Sequence, residues 1–140
     1  MKQLTDKLFV SGQIKEDDFD AIMKAGITTI INNRPDGETM CQPKSADLAA
    51  KAAKCDIAYY DIPVSGGQVA PGQKDEFGEI LENAQGPVLA FCRTGTRSSM
   101  LWAMSQVYNL STEEIMHTTQ NAGYDFAGYA PMLNAIREQG

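Results

Sequence analysis

The chain has 140 residues, a net charge of −6 at neutral pH and a hydrophobic fraction of 43%. This length suits one domain over residues 1–140, since two cores would not fit, and the acidic balance argues against nucleic-acid binding. No run approaches the roughly 18 apolar residues that cross a bilayer, and charged residues interrupt the N-terminal run, so a secretory signal is not expected. We expect a soluble, cytoplasmic protein that binds neither nucleic acid nor membrane.

Strand and helix patterns alternate from the start of the chain. In order, they predict a strand at 8–11, a helix at 17–25 that Gly26 ends, a strand at 27–31, a helix at 46–53 and a strand at 57–62. Loops rich in glycine, proline and polar residues follow the second and third strands, at 32–43 and 63–72. The β-branched run at 27–31 is typical of a strand that is covered on both faces.

The second half continues this alternation. Its patterns predict an amphipathic helix at 75–84, a very hydrophobic strand at 87–91, a helix beyond Arg97 and two final helices divided at Gly123. Ser111 and Glu114 fit a capping box. Helical spacing assigns four large side chains beyond Arg97 to the core: Met100, Trp102, Met104 and Tyr108. Alternating strands and helices indicate an α/β fold of three layers, with a mostly parallel sheet of about four strands.

The three cysteines are Cys41, Cys55 and Cys92. An odd number without a Cys-x-x-Cys pair makes a poor disulfide framework, and a single histidine, His117, leaves too few soft ligands for zinc. We therefore expect no metal and no cofactor. Cys92 differs from the other two because it follows the predicted strand at 87–91, and open α/β sheets bind ligands beyond the carboxyl ends of their strands.

The segment after this strand combines a nucleophile with an anion-binding loop. From residue 92 to residue 98 it reads Cys-Arg-Thr-Gly-Thr-Arg-Ser, and it enters a helix whose first amides lack partners and carry partial positive charge. Gly95 permits the turn that aims these amides at an anion, and the guanidinium of Arg97 can hold two of its oxygens. The same field is expected to lower the pKa of the Cys92 thiol, which makes it a nucleophile.

Cys92 and Arg97 are thus the predicted catalytic residues. The residues expected to bind the substrate lie in this loop or in the loop after the second strand: Arg93, Thr94, Gly95, Thr96, Ser98 and Arg34. A hydroxyl of Ser98 or Ser99 is expected to hydrogen-bond the sulfur. For Arg34 two interpretations stay open, because it either adds charge to the same crevice or forms an ordinary ion pair with a neighbouring acid, Asp36 or Glu38.

The pattern Cys-x-x-x-x-Arg-Ser resembles both rhodanese sulfurtransferases and cysteine-dependent phosphatases. The order of segments 26–35, 59–64 and the Cys92 loop is similar to that of dual-specificity phosphatases. More specifically, Asn-Asn-Arg-Pro-Asp-Gly-Glu at 32–38, Gln-Pro at 42–43 and the loop at 91–98 resemble the bacterial β-lactamase-hydrolase-like, phosphatase-like family. This resemblance spans nearly the whole chain and implies a cysteine-phosphatase-like fold.

Two features depart from the phosphatase pattern. Four residues separate Cys92 from Arg97 where phosphatases have five, a spacing that matches rhodanese-type loops. The resemblance also places Gly66 where dual-specificity phosphatases have the aspartic acid that protonates the leaving oxygen. This leaves Asp61 as a possible acid, or Asp75 or Glu76 if the loop at 66–67 folds over the site. General-acid catalysis contributes about 10²–10⁴-fold, whereas sulfite and thiolates leave without a proton.

On these grounds the sequence favours sulfane-sulfur transfer, from thiosulfate or a persulfide to a small thiol such as glutathione, through a persulfide on Cys92. The first alternative is hydrolysis of phosphate monoesters through a phosphocysteine on the same residue. The second is a non-catalytic module that binds an oxyanion or a phosphorylated ligand. Cys41 is a candidate for a disulfide or persulfide relay with Cys92.

Overall fold

Strands and helices alternate along the chain in the computed structural model, which describes residues 1–139. The strands are β1 (Lys2–Gln3), β2 (Leu8–Ser11), β3 (Thr29–Asn32), β4 (Ala58–Asp61) and β5 (Val88–Phe91). The helices are α1 (Phe19–Lys24), α2 (Ser45–Lys54), α3 (Gln73–Asn83), α4 (Thr96–Ser105), α5 (Thr112–Asn121) and α6 (Ala130–Gln139). Short 3-10 turns at Glu16–Asp18 and Ala127–Tyr129 precede α1 and α6.

The five strands form one sheet in the order β1-β2-β5-β3-β4. Four of them run parallel, and β1 pairs antiparallel with β2 at one edge. The predicted α/β class and mostly parallel sheet are confirmed. The sheet has one strand more than predicted because β1 is only two residues long, and two residues show no periodicity.

Two hydrophobic clusters on opposite faces of the sheet give the fold its three layers. Leu89 and Phe91 of β5 belong to the cluster that includes side chains of α1 and α2. Val88 and Ala90 belong to the cluster that includes side chains of α3, α4, α5 and α6. Because successive side chains of a strand point to opposite faces, β5 packs against both layers, and all four of its residues are buried.

The helix that follows β5 is only partly buried along its predicted core face. Trp102 is buried in the larger cluster, as predicted. Met100 and Met104 are half-buried. Tyr108 is 51% exposed, so its core assignment is wrong; α4 ends before it, and its ring instead lies under the ammonium group of Lys74.

The predicted capping box at the start of α5 is present. The hydroxyl of Ser111 accepts a hydrogen bond from the amide of Glu114, and the carboxylate of Glu114 accepts one from the amide of Ser111. Gly123, with a φ of +95°, follows α5 as expected for a helix stop. Of the helices that the structure describes in residues 1–139, none combines the length and the hydropathy needed to span a membrane.

Candidate active site

The strand order brings Cys92 to the centre of the carboxyl edge of the sheet. Its amide donates to the carbonyl of Ser11 at the end of β2, and the carbonyl of Phe91 accepts from the amide of Asn33, just beyond β3. The thiol therefore follows the central strand at the edge where parallel sheets bind ligands. The residue itself is 1% exposed, so its sulfur is buried and not at the surface.

The loop from Cys92 into α4 presents amide donors around the sulfur. The amide of Gly95 donates to Sγ of Cys92 at 3.1 Å. Within residues 1–139, five further amides of this loop find no protein acceptor, namely those of Arg93, Thr94, Thr96, Arg97 and Ser98. Since α4 begins at Thr96, the positive end of its dipole adds to this field. The backbone alone therefore offers several donors to an anion.

Gly95 makes the turn of this loop, and Tyr124 packs against it. The φ of Gly95 is +91°, a left-handed conformation that favours glycine. A β-carbon at this position would overlap the hydroxyl of Tyr124, which donates to the carbonyl of Thr94 at 3.0 Å. Burial raises the pKa of Tyr124, so the phenol remains a donor.

Arg97 is held by acceptors on one side of its guanidinium. Nη1 donates to Oε2 of Glu38 at 2.8 Å and to the carbonyl of Val64 at 2.7 Å, and Nη2 donates to Oε1 of Glu38 at 2.8 Å. An arginine carries five N–H donors in a planar fork, and these bonds use three of them. The edge that Nε shares with Nη2 keeps two donors without an oxygen acceptor in the described part of the chain, and the Cys92 sulfur lies close enough to interact with this guanidinium. That edge is available to an anion above Cys92.

Glu38 lies between two arginines. Its carboxylate accepts from Nε of Arg34 at 2.9 Å as well as from Arg97. The hydrogen bond from Arg97, assisted by the one from Arg34, lowers the pKa of Glu38 from 4.5 to about 2, although partial burial opposes the shift. Arg34 is buried and also donates to Gln13. The structure thus favours the ion-pair interpretation of Arg34, with Glu38 and not Asp36 as its partner.

The predicted hydrogen bond from the Ser98 hydroxyl to the Cys92 sulfur is not present. The Ser98 hydroxyl donates to Oδ1 of Asn33 at 2.7 Å, and the amide group of Asn33 donates to the carbonyl of Ile62. These bonds join α4, the loop after β3 and the end of β4, so Ser98 can reach an anion only through its backbone amide. The hydroxyl of Ser99 is buried and has no hydrogen-bond partner among the residues that the structure describes.

Asp61 lies away from the sulfur, although it ends a strand at the same edge of the sheet. It is in register with Asn32, which is in register with Phe91 on its other side. Two strand spacings of about 4.8 Å each therefore separate Asp61 from the end of β5. Its carboxylate accepts from the hydroxyl of Ser45, and burial raises its pKa. A raised pKa would suit an acid, but the position does not support this predicted role.

The remaining loop residues surround the site at the surface. Arg93, Thr94 and Thr96 are exposed, and the hydroxyls of the two threonines lie 2.9 Å apart. Cys41 is exposed and carries a free thiol. Sequence reasoning named Glu38 only as a partner for Arg34 and missed Tyr124 altogether. A carboxylate that closely follows an arginine in the sequence could have indicated the role of Glu38. No local sequence pattern points to Tyr124.

A thiol-bearing loop of this kind after the central strand of a parallel sheet is the arrangement of the cysteine phosphatases, so the fold and the site define a phosphatase-like domain. The chain belongs to the family described as β-lactamase hydrolase-like protein, phosphatase-like domain, whose model matches residues 1–109. The β-lactamase hydrolase-like protein of Xylella fastidiosa is 32% identical over 124 residues, which are 87% of this chain and 29% of that protein. The chain thus spans less than a third of this curated relative.

Solved structures show the same architecture. A candidate phosphatase from Neisseria meningitidis Z2491 is 31% identical to this chain, with a TM-score of 0.85 and 97% of each chain covered. PTPMT1 has a TM-score of 0.78 over 99% of this chain and 94% of its own, but it is 13% identical, so this likeness concerns the fold alone. These comparisons support phosphatase-like chemistry, the first alternative above, and do not support the sulfur transfer that the sequence favoured.

Proposed function

We propose that this chain is a cysteine-dependent phosphatase that hydrolyses phosphate monoesters through a phosphocysteine on Cys92. The observation that carries the proposal is the convergence of three groups at one place: the Cys92 sulfur, the loop amides without acceptors and the guanidinium of Arg97, which interacts with Cys92. Amides and a guanidinium are the donors that suit the oxygens of a phosphoryl group. A purely structural turn would not need them beside a thiol.

The proposed reaction has two steps. The thiolate of Cys92 attacks phosphorus, an S–P bond forms, and the bond from phosphorus to the ester oxygen breaks, so that the alcohol leaves as its anion. Loop amides and Arg97 hold the phosphoryl oxygens while charge is redistributed. Water then attacks the phosphocysteine, the S–P bond breaks, and phosphate leaves. The proton that water releases neutralises the departed alkoxide, and the thiolate is restored.

The site favours esters with weakly basic leaving groups. Asp61 is two strands away from the sulfur, and Glu38 has a pKa of about 2, so neither carboxyl group is placed and protonated to serve as an acid near neutral pH. Without such an acid, a basic leaving group forgoes an acceleration of about 10²–10⁴-fold. We expect phenyl esters and acyl phosphates to be hydrolysed much faster than alkyl esters.

Sulfane-sulfur transfer is a second candidate, favoured by the four-residue spacing between Cys92 and Arg97 and by the same shortage of an acid. In this reaction the thiolate attacks the outer sulfur of thiosulfate, the S–S bond breaks, and sulfite leaves. The thiolate of a small thiol such as glutathione then attacks the outer sulfur of the Cys92 persulfide. A glutathione persulfide leaves, and the Cys92 thiolate is restored.

Parallel assays of the purified chain separate the two reactions. We expect phosphate release from 4-nitrophenyl phosphate to exceed sulfite release from thiosulfate and glutathione. Cys92→Ser should abolish phosphate release because a serine hydroxyl is a weak nucleophile at neutral pH, whereas Cys55→Ser, at a half-buried free thiol, should retain it. Sulfite release without phosphate release would replace this proposal by sulfur transfer. Full activity of Cys92→Ser would exclude the site from both reactions.

A further inference from the structure

A cavity of about 210 Å³ lies beside Arg97, between α4, α6 and the loop after β4. Its walls are mostly apolar. The side chains that form them include Val69, Met100, Met104, Tyr129 and Met132. The three methionines are half-buried, and Tyr129 is 48% exposed. This cavity, here called the methionine pocket, is therefore accessible from solvent.

The methionine pocket is continuous with the anion-binding loop. Thr96 and Arg97, the first residues of α4, line it. Val64 lines it as well, and its carbonyl accepts from Nη1 of Arg97 at 2.7 Å. The amides of Thr96 and Arg97 are among those without a protein acceptor in residues 1–139. If an anion binds to this loop, a group attached to that anion consequently lies beside the pocket.

Charge and size limit what the pocket can hold. Among the described residues that line it, Arg97 alone is charged, and Glu38 already pairs with its guanidinium. A second phosphate or a carboxylate would lose its water there while the free donors of Arg97 already hold the first anion, which is unfavourable. An apolar cavity of about 150 Å³ binds benzene, so the pocket, at about 210 Å³, accommodates one six-membered ring with a small substituent.

We propose that the methionine pocket binds the uncharged ring of a small monocyclic phosphate ester whose phosphoryl group lies over Cys92. This inference rests on the proposed phosphatase function and names its substrate class. Thioether groups adapt in shape and make favourable contacts with aromatic ring edges, and Tyr129 offers a second aromatic surface. The lack of a placed acid points independently to the same class, because a phenolate is a better leaving group than an alkoxide.

Binding can be measured without turnover by NMR. In Cys92→Ser protein with isotope-labelled methionine methyl groups, phenyl phosphate should shift the signals of Met100, Met104 and Met132. The signals of Met23 and Met40, which are exposed and outside the pocket, should not move. Inorganic phosphate should leave all five signals in place, because it has no ring. Absence of the three shifts, or equal shifts with both anions, would overturn the proposal whether or not the wild-type chain is a phosphatase.

A substitution in the pocket tests the consequence for catalysis. Met104→Gln keeps the side-chain length but introduces an amide, so we expect KM for phenyl phosphate to rise roughly tenfold. KM for acetyl phosphate, which has no ring, should stay unchanged. Met116→Gln is the matched control, because Met116 packs against the same core outside the pocket. Equal losses with both substrates in Met104→Gln would contradict the proposal. If the wild-type chain hydrolyses neither ester, the phosphatase function fails, and the NMR titration alone decides the pocket.

Discussion

Arg97 owes its orientation to residues that are distant in the sequence. Glu38 lies 59 residues before it, and Val64 lies 33 residues before it. Together they occupy both donors of Nη1 and one of Nη2, and they leave the Nε edge free on a guanidinium that interacts with Cys92. A lysine could not replace this arrangement, because an ammonium group is a point charge without two separate edges. Glu38 is therefore a positioning residue.

Glu38→Gln is predicted to lower kcat/KM for phenyl phosphate on the order of 10- to 100-fold, the scale of a small misplacement of a substrate-binding group. The amide has one acceptor oxygen where the carboxylate has two, and its NH2 group cannot accept from the second Nη atom, so the two-pronged contact is lost. Inorganic phosphate should also inhibit the variant more weakly, which a general loss of structure at a distance would not explain. Glu79→Gln, at an exposed carboxylate on α3, is the control. Unchanged kinetics and inhibition would show that Arg97 is oriented without Glu38.

The loop from Cys92 to Ser98 could be predicted as an anion site because its residues are adjacent in the chain, and a strand-to-helix turn brings their amides together. Tyr124 could not, because Thr94, which it contacts, lies 30 positions earlier in the chain. For Asp61 the sequence predicted the edge of the sheet correctly but not the distance from Cys92. The position of Asp61 at a strand end placed it at the correct edge, but sequence alone does not reveal that β3 lies between β4 and β5.

At the scale of elements, most of the sheet follows from hydrophobic pattern. The strand predicted at 8–11 coincides with β2, and the helix predicted at 46–53 lies within α2. The strand predicted at 27–31 corresponds to β3, which begins and ends further along the chain, at Thr29–Asn32. Its end depends on pairing with its neighbours, which the amino-acid pattern does not encode. The helix predicted at 17–25 starts as α1 at Phe19, because the preceding residues form a 3-10 turn.

The turn between β5 and α4 yields a prediction for Gly95. Gly95→Ala forces a β-carbon into a left-handed conformation and against the Tyr124 hydroxyl. Gly26→Ala is the matched control, since Gly26 has a φ of +80° and no atom within 4 Å of an added β-carbon. The control should cost about 1 kcal/mol in the free energy of unfolding. Gly95→Ala should cost more and also reduce kcat/KM, as urea unfolding and kinetics would measure. Equal costs with full activity would show that Tyr124 does not confine the turn.

At the scale of the whole molecule, both layers of helices contribute to the site. Asn33 and Glu38 lie in the segment between β3 and α2, whereas Ser98 and Arg97 belong to α4 in the other layer. The hydrogen bond between Ser98 and Asn33 and the ion pair between Arg97 and Glu38 join these segments across the carboxyl edge. The anion site is therefore complete only when α4 is packed against the segment that follows β3.

The Glu38 pair should make the stability of the fold depend on pH. The pKa of Glu38 is about 2 in the folded chain against 4.5 as its ordinary value. Its stabilisation is therefore present above pH 4.5 and is lost as the pH falls towards 2. Because 27% of its side chain is exposed, solvent screening limits this contribution to about 1 kcal/mol. Urea unfolding at neutral pH and between these two values should show a smaller acid-induced loss in Glu38→Gln. Identical losses would show that the pair does not stabilise the fold.

The guanidinium of Arg97 is already fixed before an anion arrives. An arginine side chain carries roughly 2 kcal/mol of rotamer entropy, and here folding, rather than binding, restricts that freedom. A preorganised receptor of this kind gains up to about 30-fold in affinity over one that must order the same side chain on contact. A small phosphate can then bind without any rearrangement of this arginine. We therefore expect diffusion into the site, and not a conformational step of Arg97, to limit the association rate.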